Sequence, residues 1–108
     1  MDAEIKAQWV AALRSGKYEQ GREQLRCNDK FCCLGVLCDL VKDDIGAAWE
    51  NDCFVFDDRR IGALLPSKVR IHVRLLGSTI TNALMSMNDS DGLPFEDIAN
   101  FIEQHPNL

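Results

Sequence analysis

The sequence has no apolar run near the ~18–20 residues that a membrane span needs. The longest, Phe31 to Cys38, contains Gly35 and stops at Asp39. It has no Gly-rich phosphate loop, no His-x-x-x-His pair and no Ser-centred elbow. Histidine is scarce, with only His72 and His105, so imidazole chemistry has two places to start. The five cysteines contain no C-x2-C pair, so the usual zinc spacing is absent, and no metal or other cofactor is expected. Repeats and low-complexity segments are missing too. Met1-Asp2-Ala3-Glu4 is acidic and then amphipathic, unlike a secretory signal, so the chain is expected to stay in the compartment where it is made. An odd cysteine count in that setting argues against a disulfide framework. Cys33 and Cys38 then read as small buried hydrophobes.

What is present fits one globular domain. The chain has 108 residues, 46% hydrophobic and 27% charged, with a net charge of −5. The overall sign disfavours nonspecific nucleic-acid or anionic-membrane binding. The charge is unevenly placed. Residues 39–58 set Asp39, Asp43, Asp44, Glu50, Asp52, Asp57 and Asp58 against Lys42 alone. Residues 59–88 carry Arg59, Arg60, Lys68, Arg70 and Arg74 and no acid, and residues 89–108 carry only acids.

Periodicity predicts the elements. Ile5, Trp9 and Leu13 stand at i, i+4, i+8, an amphipathic helix over 3–14 that Gly16 should stop. Residues 17–30 are polar, with turn signals at Gly21 and Asn28-Asp29, and read as one or two short strands. Residues 32–44 are apolar on nearly every side, which predicts a buried central helix. Helices 3–14 and 94–104 should pack on it through Trp9, Leu13, Ile98 and Ile102. Residues 48–57 suggest a hairpin turning at Asn51-Asp52. Residues 67–75 alternate polar and apolar, so by period they form a strand with a basic face. The helical alternative sets Val69, Val73 and Leu76 on one side. Helical spacing returns over 79–87, and Pro94 opens a helix striped with Phe95, Ile98, Ala99 and Ile102. The expectation is a helix-rich α+β domain: about five helices, one or two short antiparallel hairpins, and helix 32–44 as its axis.

Several motifs resemble a known pattern. Trp9-x-x-Ala12-Leu13-Arg14-Ser15-Gly16-Lys17-Tyr18-x-Gln20 precedes Phe31-Cys32-Cys33-Leu34-Gly35-Val36-Leu37-Cys38-Asp39-Leu40. Leu65-Pro66-x-x-Val69, Met87-Asn88-Asp89 and Phe95-x-x-Ile98-Ala99-x-x-Ile102-Glu103 follow. Over nearly its whole length the chain resembles a family of uncharacterised small phage and prophage proteins. That resemblance implies a viral accessory protein in the host bacterial cytoplasm and brings no catalytic residues. It favours helix for 67–75. The family pattern has a Trp-containing helix after the Leu-Pro pair, and here His72 and its basic neighbours stand there instead.

Four constellations could carry function. Cys32 or Cys33 enters a helix N-terminus, which lowers a thiol pKa, and with His72 as base could serve a cysteine-dependent hydrolase. The bland alternative is buried thiols. Arg59, Arg60, Lys68, Arg70, His72 and Arg74 could converge on a small anionic, nucleotide-like ligand or an acidic protein surface. Alternatively they form a solvated face answering the acidic run. Lys17, Tyr18 and Gln20 could line a ligand pocket or simply form a loop after a helix cap. Asn88-Asp89-Ser90-Asp91-Gly92 looks like a calcium loop, but Ala99 stands where the bidentate acid is needed, so it reads as a turn. This inventory leans away from an enzyme without closing that class. The leading expectation is a non-catalytic phage binding protein. It would occlude a host bacterial protein or sequester a small anionic ligand in counter-defence. A virion-assembly accessory and a homo-oligomer remain open.

Overall fold

The computed structural model describes residues 1–75, 77–106 and 108. Five helices are present: α1 (Ala3–Arg14), α2 (Cys33–Val41), α3 (Ser67–Val73), α4 (Ser78–Asp89) and α5 (Phe95–Glu103). Six short strands are β1 (Glu19–Gln20), β2 (Arg26–Cys27), β3 (Lys30–Phe31), β4 (Ala48–Glu50), β5 (Cys53–Phe56) and β6 (Arg59–Ile61). The expected α+β domain is what forms.

Helix α2 is the buried axis. Every residue from Cys32 to Cys38 is buried, as a helix apolar all round must be. It is shorter than 32–44: Cys32 caps its start, its Sγ accepting the Gly35 N–H at 3.3 Å, and the helix ends at Val41 with Lys42 as C-cap. Helix α1 lies against α2, and the Trp9 indole donates to the Cys33 carbonyl at 2.9 Å. Asp2 caps α1 by accepting the Ile5 N–H, and Gly16 takes φ +77° just past its end. Helix α5 buries Ile98 and Ile102 as expected, but packs chiefly on α1 and also on α4.

The strands form two three-stranded sheets, ordered β1-β3-β2 and β4-β5-β6. The β2–β3 and β4–β5 hairpins are antiparallel, as local pairing predicts. Two additions exceed the expectation. Strand β1 joins β3 in parallel, and β6 extends the second sheet antiparallel to β5, pairing Phe56 with Arg59 and Phe54 with Ile61. Asn28-Asp29, Asn51-Asp52 and Asp57-Asp58 all have positive φ at both residues, as two-residue hairpin turns require. Much of the acidic run is therefore turn chemistry. Residues 67–73 are helical, with Arg74 left-handed at the C-cap. The alternation that suggested a strand is overridden because Val69 and Val73, four apart, are buried together. Leu76, named as part of that stripe, lies outside the described residues.

Candidate functional site

The β5–β6 hairpin and helix α3 form the two walls of an open groove of about 700 Å³. Its making is local. The Asp57-Asp58 turn folds β6 back along β5, so Phe56 and Ile61 supply apolar floor. Pro66 precedes α3 with φ −63° and has no N–H to leave unpaired. Val69 and Val73 then fix the inner face of the helix. Ile71 is two residues from each, about 200° around the axis, and must point outward. It is 66% exposed, and Leu64 on the approach to α3 is 63% exposed. Among the described residues these are the large apolar side chains left in water, and both line this groove.

The rim is cationic. Arg59 lines one wall with no ion pair among the described residues. Lys68 reaches across, donating to Asp57 Oδ2 at 2.8 Å with its ammonium 5.6 Å from the Phe56 ring centre. An adjoining hollow of about 210 Å³ shares Leu64, Leu65 and Ser67 with the groove and adds Arg70 and Asn82. The structure thus gathers Arg59, Lys68 and Arg70 on one continuous surface.

The other basic residues go elsewhere. Arg60 pairs with Glu50 at 3.5 Å, and His72 faces Asp44 at 3.7 Å. Part of the basic block therefore answers the acidic run, Arg60 by an exposed ion pair of the kind that contributes little. Arg74 lines a separate hollow with Gly77, Ile80 and His105. Lys17 and Tyr18 border a hollow along α1 near Leu40. Tyr18 turns its hydroxyl inward, donating to Asp39 Oδ2 at 2.6 Å, while the Trp49 indole donates to Asp39 Oδ1 at 2.9 Å. Gln20 points another way and donates to Asn88 Oδ1 and the Leu93 carbonyl. These three residues do not converge.

The thiols are shielded. Cys32 is 6% exposed and Cys33 fully buried. Burial pushes the Cys32 thiol up to about 11 despite the backbone N–H bonds of the helix terminus, and pushes Cys33 well above the ordinary range. The Cys33 thiol lies 3.7 Å from the Leu84 carbonyl, and its N–H donates to the Asn88 side chain. Desolvation outweighs the helix-terminus effect that makes a thiolate. Among the described residues no group of three or more His, Cys, Asp or Glu could hold a metal ion. None of their helices is long and apolar enough to cross a membrane.

Sequence reasoning missed Leu64, Ile71 and the floor beneath them. The signal was available: once 67–75 is taken as helix, an isoleucine between two inward valines has to face out. Fold and site together define a small α+β domain with a buried cysteine-rich axis and, between β6 and α3, an open apolar groove rimmed by cations. The chain belongs to the family described as a domain of unknown function (DUF8296), which matches residues 1–106. No curated protein and no solved structure matches it.

Proposed function

We propose that this is a non-catalytic accessory binding protein of phage origin that occludes a host bacterial protein through the β6–α3 groove. The resemblance to small phage and prophage proteins implies a viral accessory protein in the host cytoplasm, and the basic block and lack of catalytic motifs add counter-defence as its setting. The observation that carries the reading is the exposure of Leu64 and Ile71 in one groove beside Arg59 and Lys68. Exposed large apolar side chains grouped with a polar rim mark interaction surfaces. The groove is an open trough between a strand and a helix, which suits a macromolecular partner better than a small anion needing enclosure.

Native mass spectrometry of the protein purified from infected or defence-carrying host cells tests this. The wild type should retain a protein partner, and a Leu64→Ser/Ile71→Ser variant with an unchanged melt should lose it. Retention of the partner by that variant rejects the groove. A bound small anion without protein would reject occlusion and support sequestration instead.

A further inference from the structure

Resting on that reading, we infer that the groove takes a short acidic segment of the partner protein, with two apolar side chains seated on Leu64 and Ile71 and carboxylates at Arg59 and Arg70. Shape and charge both complement such a segment.

The anchors come first. Phe56 and Ile61 form the floor, and Leu64 before α3 and Ile71 on it are the large exposed aliphatic groups of the described residues. Apolar groups from a partner are the chemistry that would take Leu64 and Ile71 out of water. Helix α3 has seven residues, so it offers a wall of about 10 Å at the usual rise. A short segment covers that length.

Charge sets the flanks. Arg59 lies in the groove and Arg70 in the adjoining hollow, and neither has an acidic partner among the described residues. Residues 59–88 hold five cations and no acid, so the only carboxylate lining the groove or the adjoining hollow among the described residues is Asp57. The guanidinium fork matches carboxylates bidentately. A nucleic acid fits less well: the exposed anchors are aliphatic rather than stacking aromatics, and Asp57 sits on the lip of the groove.

The experiment uses the full chain and a displayed library of random twelve-residue peptides. Selection on the wild type should enrich sequences in which Asp or Glu flanks a pair of apolar residues. In titration calorimetry an enriched peptide should lose at least tenfold in affinity against Leu64→Ser/Ile71→Ser. It should lose as much against Arg59→Glu/Arg70→Glu and should weaken as salt rises. Both variants should keep the wild-type circular dichroism melt. Enrichment of neutral or basic peptides, or equal binding to the charge-reversed variant, overturns the acidic occupant while leaving the groove reading intact. Enriched peptides that bind equally to Leu64→Ser/Ile71→Ser overturn the anchors. Binding of inorganic polyphosphate or an oligonucleotide in the groove, with no peptide enriched, overturns a protein occupant altogether.

Discussion

The side-chain oxygen of Asn88 accepts the backbone N–H of Cys33 at 3.2 Å, tying the end of α4 to the first residue of α2. A helix's first N–H groups have no partner within the helix, and burial makes an unmet one costly. Asn88 is fully buried and also takes a bond from Gln20 while donating to the Gly21 carbonyl at 2.9 Å. It thus joins the polar strap before β2 to both helices. Asn88→Ala should cost about 2–4 kcal/mol, since the buried Cys33 N–H and the half-buried Gly21 carbonyl lose their partner. Urea unfolding checks this, and a loss under about 0.5 kcal/mol would show that water replaces the amide freely.

Gly35 is the helical glycine whose absence of a side chain the fold requires. A Cβ there would lie 1.8 Å from the Leu25 carbonyl oxygen, whose own residue anchors the strap through the Cys32 N–H. Alanine normally favours a helix over glycine by about 1 kcal/mol. Here steric exclusion decides the sign, and Gly35→Ala should destabilise by at least about 3 kcal/mol. Leu37→Ala, a plain truncation at a fully buried site of the same helix, should cost about 2–5 kcal/mol. Thermal melts of both variants check that α2 is the core.

Thiol reactivity should divide the cysteines cleanly. Cys32, Cys33 and Cys38 are buried and pushed upward by desolvation, whereas Cys27 and Cys53 are half-buried. Iodoacetamide at pH 8 should alkylate only Cys27 and Cys53 in native protein and all five in denaturant. Rapid alkylation of Cys32 or Cys33 in the native state would restore the hydrolase reading.

Alkaline pH should loosen the contact between Tyr18 and Asp39. Burial raises the Tyr18 hydroxyl well above its ordinary value, and its hydrogen bond to the Asp39 carboxylate adds to this. A raised folded value stabilises below the unfolded one, about 10, and that contribution is lost as pH climbs through the folded value. Desolvation pushes Asp39 up, but the bonds from Tyr18 and Trp49 and the Lys42 ammonium outweigh it, so its carboxyl is held below the usual range. That contribution is present above about pH 4 and lost on acidification through the lower folded value. Tyr18→Phe should cost about 1 kcal/mol at pH 7, a single half-exposed hydrogen bond. The gap to wild type should narrow above pH 10. Cys32 weakens both proteins alike above pH 9, so the comparison isolates Tyr18. A gap that stays constant to pH 11 would contradict the assignment.

The long helices were readable because each has an unbroken stripe: Trp9 and Leu13, the all-apolar Cys33–Cys38, and Ile98 with Ile102. The turns were readable from Asn-Asp pairs. Less legible was Asp57-Asp58, which composition presents as charge and geometry uses as a hairpin turn, so β6 went unseen. The parallel β1–β3 pair depends on a contact across ten residues that two-residue strands do not announce. Of the groove, Arg59, Lys68 and Arg70 were visible as charge. Ile71 was hidden by the same alternation that made 67–75 look like a strand.

The β6–α3 face is the proposed working surface of this protein. Hydrogen–deuterium exchange of the chain, free and bound to the partner captured from host cells, tests it most directly. Protection on binding should fall on the backbone from Phe56 to His72. Protection centred instead on α1, or on the strap between Lys17 and Phe31, with 56–72 unchanged, would contradict it.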